Sequence, residues 1–284
     1  MSDPGPTYGP PRRRGDWAFP LIGGGLSGSY VLLILLLIGA DLCFVSFSEF
    51  LAALRQEEIQ AAAGLTILTC TLSAVMSLWV AIPLGYFLAR SRGRWAVVVD
   101  TIVDVPLVLP PLILGLSLLI LFHLPIGGRR LEDLLRDGGF PVAFEWPAVV
   151  LAQFSVAGAF AIRTMRVTFD QIDRRPEDVA RTLGCNRGQA FLRVALPQAW
   201  RGALAAGTVA WARSLGEFGP ILVFAGATRM KTEVLSTTVF LELSVGNLDA
   251  AVAVSLVMVA AAVFTLILLR ALGARSWDMR GAGS

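Results

Sequence analysis

The chain has 284 residues, 55% of them hydrophobic and 16% charged, with a net charge of +3 and a mean hydropathy of +0.68. A soluble domain would not stay dissolved at that balance, so the composition marks an integral membrane protein and excludes a soluble nucleic-acid-binding module with a basic face. One histidine, His123, and three cysteines without motif spacing, Cys43, Cys70 and Cys185, leave almost nothing from which to build a metal centre, a disulfide framework or a Ser/His/Asp triad.

Residues 1–25, rich in Pro, Gly and Arg, read as a disordered cytoplasmic tail. Six apolar runs follow, near 28–45, 64–89, 96–122, 147–162, 202–225 and 248–272. Crossing a hydrocarbon core of roughly 30 Å takes about 20 helical residues, so the expected fold is an all-α polytopic membrane protein with six transmembrane helices over residues 26–275. The first run follows basic residues but is long for a signal-peptide core. It ends in Ala40-Asp41-Leu42-Cys43, which matches no cleavage site, so it is expected to be retained. Residues 276–284 form a C-terminal tail.

Lys and Arg concentrate in cytoplasmic loops. Arg12, Arg13 and Arg14 place the N-terminus inside, whereas Arg55 stands among Glu49, Glu57 and Glu58 outside. Arg90, Arg92 and Arg94 return the chain to the cytoplasm, and the third loop offsets Arg129, Arg130 and Arg136 with Glu132, Asp133, Asp137 and Glu145 outside. Arg163, Arg166, Arg174, Arg175, Arg181, Arg187, Arg193 and Arg201 crowd an inner loop over 163–201, and Arg270, Arg275 and Arg280 close the chain inside.

In the third run Asp100 and Asp104 share a face at its cytoplasmic start, and Pro106, Pro110 and Pro111 predict a bent or broken span. Asp100 fits the interface near a helix N-terminus. Asp104, deeper, either pairs with an arginine of another span or belongs to the translocation pathway. Gln153 in the fourth run either hydrogen-bonds between helices, the favoured reading, or lines the route.

The inner loop holds PEDVARTLGCNRGQAFLRVALP, Pro176 to Pro197. Pro176 suits the first helical turn, and Glu177 and Asp178 favour the positive end of the helix dipole. Gly184 suits the left-handed residue that ends a helix, so a two-turn helix is expected, with Val179, Ala180 and Leu183 on one face. So short a helix must be held by the membrane domain or by a partner. A second amphipathic piece with Phe191 and Leu192 then turns the chain back to the membrane.

From Asp178 the spacing runs three residues, three more, Gly184, nine more, then Val194-Ala195-Leu196-Pro197. It resembles the "EAA" loop of ABC importer permeases, with Asp178-Val179-Ala180 in place of Glu-Ala-Ala and Glu177 one position early. PLVLPP at 106–111, the run from Val149 to Asp173, and ARSLGEFG at 212–219 resemble permeases of the molybdate and sulfate importers, molybdate most closely. That resemblance implies a permease subunit in the cytoplasmic (inner) membrane carrying an oxyanion: molybdate, tungstate or sulfate. Implied partners are a cytoplasmic ABC ATPase dimer, an extracytoplasmic oxyanion-binding protein and a second permease copy, a homodimer by likeness to molybdate importers. Pro176, Glu177, Asp178, Val179, Ala180, Leu183 and Gly184 would couple to the ATPase. No cofactor is expected on this chain, and ATP with Mg belongs to the partner. The only lysine, Lys231, fits this: the phosphate-loop pattern GxxxxGK would need glycine where Ala225 and Met230 stand.

Arg213 and Glu217 lie four apart in the fifth run, where a charge costs at least about 2.5 kcal/mol unless it faces protein or water. They read either as a mutually neutralising pair or as pathway residues whose arginine meets an oxyanion. Gly216, Gly219 and Pro220 suit a gate or close helix packing equally. A gradient-driven secondary transporter with Asp104, Arg213 and Glu217 as coupling groups is the alternative, and it gives no account of the inner loop. A membrane enzyme would need a nucleophile or ligand cluster that the sequence lacks.

Overall fold

A computed structural model describes residues 18–91 and 93–281. Two compact units divide the chain, residues 1–46 and 47–284. The first contains α1 (Ala18–Phe44), whose 22 residues Gly23–Phe44 have a mean hydropathy of 2.0 and none of whose apolar window is buried within the protein. The helix starts inside the segment 1–25 read as a disordered tail. Arg12, Arg13 and Arg14 lie outside the described residues.

The second unit runs α2 (Phe47–Leu54), α3 (Glu57–Arg90), α4 (Arg94–Val108), α5 (Pro111–His123), strands β1 (Pro125–Ile126) and β2 (Arg129–Arg130), and α6 (Leu131–Asp137). It continues with α7 (Trp146–Gln171), α8 (Arg175–Thr182), α9 (Arg187–Ala190), a π-helical turn (Phe191–Ala195), α10 (Leu196–Leu215), α11 (Gly219–Phe224), α12 (Leu235–Ser244) and α13 (Leu248–Gly281). The one departure from all-α among the described residues is a hairpin in which Pro125 pairs with Arg130 and Ile126 with Arg129. Gly127 and Gly128 take φ of 61° and 85°, the two positive values a two-residue type I′ turn requires.

Among the described residues four helices are long and apolar enough to cross a membrane: Gly23–Phe44, Glu57–Arg90, Trp146–Gln171 and Leu248–Leu268. The third predicted run does not form one rod. It breaks after Val108, and α4 and α5 meet at 113°. Pro110 supplies no N–H, and a residue before proline is driven to extended backbone, as Leu109 is at ψ 138°. The fifth run is also discontinuous: α10 ends at Leu215 and α11 starts at Gly219. Within the segment 163–201 read as the inner loop, α7 persists to Gln171 and α10 starts at Leu196. The helix α13 likewise continues to Gly281, through most of the segment read as a C-terminal tail.

Small residues hold α3, α7 and α10 together: Ala74, Ala81, Ala157, Ala161, Ala206 and Ala210 are buried around Met165 and Phe169. A Cβ on Gly85 would lie 2.7 Å from the Met165 Cβ and 2.9 Å from the Arg166 amide nitrogen, so α3 and α7 approach as closely as glycine permits. Such packing replaces the hydrophobic drive that lipid cannot supply.

At the Glu57 end of α3, Arg229 bridges Glu58 and Glu242, the latter at 2.8 Å. Beside them Glu233 is only 2% exposed, and neither carboxylate oxygen has a hydrogen-bond partner among the described residues. Burial pushes its pKa above the usual carboxylate range; the nearby Thr238 hydroxyl and Arg229 oppose the rise, and Glu242 adds to it. A raised folded pKa contributes stability below the unfolded value of about 4.3, which is lost as pH rises through the folded value. Glu233→Gln is therefore expected to match the natural chain in thermal unfolding near pH 4 and to exceed it at pH 8. Parallel pH curves for the two proteins would refute this.

Candidate functional site

The inner segment folds into α8 as its residues dictate. Pro176 stands in the first turn with Glu177 and Asp178, and Arg181 in the last. Gly184 takes φ +95°; its N–H donates to Arg181 O at 3.1 Å, and that of Cys185 to Ala180 O at 3.0 Å. This double closure is the Schellman C-cap. A capping box follows that the sequence reading missed, although the spacing Asn-x-x-Gln signals it. Asn186 Oδ1 accepts from Gln189 N at 2.8 Å, while Gln189 Oε1 accepts from Asn186 N at 3.0 Å.

The helix has two distinct sides. Inward, Glu177 is 6% exposed. Its Oε2 accepts from the Tyr86 hydroxyl at 2.6 Å, and its Oε1 from Arg90 Nε at 3.1 Å and Nη2 at 2.6 Å. Arg90 also donates to the carbonyls of Phe169 at 2.9 Å and Ile172 at 3.3 Å, and Arg174 Nη2 to Ala89 O at 2.6 Å. Outward, Val179 is 56% and Leu183 81% exposed, with Ala180 half-buried between the sides. Asp178 faces solvent, 3.7 Å from Arg181. The spare acid of the sequence reading, Glu177, is thus the anchored one. Nothing in the sequence pairs it with Arg90, which reads there only as the basic end of an apolar run.

The predicted intramembrane residues form a second locus, where the two helix breaks meet. Arg213 sits in the last turn of α10 and Glu217 in the break, with Nη2 and Oε1 2.6 Å apart; this is an ion pair without hydrogen-bond alignment. Glu217 is 1% exposed, and the Arg213 guanidinium also lies 5.4 Å from the Phe160 ring centroid. Ser236 of α12 donates to Glu217 O at 2.6 Å and ties the break to the next helix. A cleft of about 320 Å³ is lined by Pro110, Pro111, Arg213, Gly216, Glu217 and Gly219. A Cβ on Gly219 would meet Leu112 N at 3.1 Å, and one on Gly115 would meet Pro220 Cα at 2.7 Å.

Asp104 does not join this locus. It pairs with Arg163 of α7, Nη1 lying 3.1 and 3.2 Å from its two oxygens, and Asp100 pairs with Arg166. Both arginines belong to α7 rather than to the loop in which they were placed. Gln153 makes the expected contact between helices: its Nε2 donates to Ser214 O at 3.3 Å and Cys70 Sγ at 3.5 Å. Ser73 and Ser214 meet beside it at 3.0 Å.

The profile of the binding-protein-dependent transport system inner membrane component matches residues 81–277, from the C-terminal part of α3 to the last turns of α13. The chain belongs to that family. The permease is 36% identical over 253 residues to a probable molybdenum ABC transporter permease protein of Haloferax volcanii, covering 89% of this chain and 90% of the relative. It is 36% identical over 224 residues to the molybdenum transport system permease protein ModB of Mycobacterium tuberculosis (78% and 83% covered). The sulfate transport system permease protein CysT of Escherichia coli is 29% identical over 255 residues (88% and 91% covered). Its fold is that of a chain in the crystal structure of a bacterial alginate ABC transporter in complex with an alginate pentasaccharide-bound periplasmic protein. The TM-score is 0.68 at 19% identity, over 94% of this permease and 96% of that chain. The permease is a multi-pass inner-membrane translocation component of an ABC transporter and not itself a catalyst.

Proposed function

We propose that this permease carries a tetrahedral oxyanion inward, molybdate foremost with tungstate and sulfate as related cargoes, and that a separate ATPase docked on α8 drives it. The cargo class rests on the names of the molybdenum and sulfate relatives. The docking role rests chiefly on α8: a capped two-turn helix, bound to the membrane domain by its acid and presenting Val179 and Leu183 outward, is shaped to enter a groove on another protein. Pro176, Asp178, Ala180 and Gly184 set its start, exposed edge, packing and end.

In this reading the chain crosses six times, through α1, α3, the bent α4–α5 pair, α7, the broken α10–α11 pair and α13, with both termini in the cytoplasm. Two ATPase subunits hold ATP and Mg, a binding protein delivers cargo from outside, and two copies of the permease form the pore. The junction of Arg213, Gly216, Glu217 and Gly219 acts as the gate, and most cargo selectivity lies in the binding protein. A mutually neutralised Arg213 suits such a gate, because a strong anion site there would oppose release.

The test is copurification of the tagged permease with the ATPase in mild detergent. Asp178→Lys/Gly184→Val is expected to weaken association about tenfold, the cost of losing one well-packed contact. Uptake competition between molybdate and sulfate assigns the cargo. A folded natural chain that retains no ATPase would overturn the docking role of α8.

A further inference from the structure

We infer that Arg90 is the positioning residue that makes the docking helix and the transmembrane helices move as one body. The inference rests on the reading of α8 as the ATPase-docking element and names the part of the membrane domain to which that element is fixed.

Three chain ends converge on this guanidinium. Arg90 is the last residue of α3; Phe169 and Ile172, to whose carbonyls it donates at 2.9 and 3.3 Å, lie at the end of α7 and just beyond it; Glu177 lies in the first turn of α8. Carbonyls at a helix C-terminus lack their α-helical partner; that of Phe169 accepts only the cap N–H of Ile172 at 3.3 Å from the backbone, and Arg90 adds a charged donor to it and to the carbonyl of Ile172. Only Ile172, Asp173 and Arg174 separate α7 from α8. A three-residue link alone would let α8 pivot when a partner pulled on it. The Arg90 fork removes that freedom, because any rotation of α8 must break the contact with Glu177 or take the ends of α3 and α7 along.

Supporting struts point the same way. Tyr86 hydrogen-bonds Glu177 at 2.6 Å while its ring packs on Phe169 at 5.3 Å and on Phe191 at 4.6 Å, and Arg174 reaches back to Ala89 O. The arrangement needs arginine specifically. A lysine ammonium has the charge but not the planar fork that reaches a carboxylate and two carbonyls at once.

The experiment uses the whole transporter, permease with ATPase and binding protein, in vesicles supplied with molybdate. It reads complex recovered, ATP hydrolysed and molybdate moved. For Arg90→Lys the complex is expected to form and the partner to hydrolyse ATP, while molybdate moved per ATP falls about tenfold, near the upper part of the range for residues that transmit coupling. Adding Glu177→Gln is expected to cause no further fall, because the two side chains act as one unit. Tyr86→Phe removes one hydroxyl and keeps the ring contacts, so it guards against misfolding; it is expected to lower the ratio about threefold, the loss of one hydrogen bond. An unchanged ratio in Arg90→Lys and Tyr86→Phe overturns the inference. So does a fall in uptake that merely follows a fall in complex recovered, which is what a structural role alone predicts. A natural chain that recruits no ATPase overturns the docking reading instead, and this inference with it.

Discussion

Glu217→Ala is expected to leave Arg213 as an uncompensated charge at the junction of the two helix breaks and to lower stability by about 2–3 kcal/mol. Removing one partner of a buried pair costs about 3–5 kcal/mol; the smaller figure reflects the partial exposure of Arg213. The reading is the melting temperature of the permease in detergent. Arg213→Leu/Glu217→Leu is the informative companion, because replacing both charges by apolar groups of similar size removes the penalty. Stability should return in the double variant. Uptake should not, because the junction loses the polar pair on which a gate depends. Recovery of both would reduce the pair to a packing device and move the gate elsewhere.

Gly115→Leu is expected to force α5 and α11 apart. The new Cβ would fall 2.7 Å from Pro220 Cα and 3.0 Å from Pro220 O, and backbone atoms cannot swing aside as a side chain can. Overpacking of this kind costs about 1–3 kcal/mol. Here it acts on the contact that sets the two broken helices against each other, so uptake should fall further than the amount of protein in the membrane. Gly64→Ala is the matched control: nothing lies within 4 Å of its added Cβ, and alanine favours a helix by about 1 kcal/mol over glycine. Equal uptake by the two variants would show that the α5–α11 contact is not tightly specified.

Much of this molecule was legible in its residues, for reasons that can be named. Local chemistry spoke clearly: Pro176, the two acids after it and Gly184 fix the start, dipole and end of α8, and Pro110-Pro111 forces the break between α4 and α5. Hydropathy located the apolar runs because a membrane demands a minimum length. What stayed hidden depends on where distant segments meet. Glu177 and Asp178 are adjacent acids with equal claims from sequence, and only the Arg90 fork, 87 positions away, decides which is buried. For Asp104 the sequence leaves an arginine partner and a pathway role both open, and only the packing of α7 brings Arg163 beside it. Gly216, Gly219 and Pro220 read equally as gate or packing residues, and nothing in them marks the break at 216–218 as the meeting place of two interrupted helices, because its partner at Pro110 lies in another span.

The π-helical turn at Phe191–Ala195 bears on chain length. Such a turn accommodates one residue more than the surrounding α-helix without interrupting its hydrogen bonds, and Leu196 N closes it on Phe191 O. Each α-helical residue advances the chain by about 100° around the axis. Removing one residue within the turn would be absorbed by its return to plain α-helix and would leave the capped α8–α9 corner facing as before, whereas removing one within α10 would swing that corner by about that angle. Length changes are therefore not equivalent along the chain: one residue lost in the π-helical turn is absorbed, one lost in α10 redirects the α8–α9 corner, and one lost in the exposed hairpin at Gly127-Gly128 alters only the hairpin.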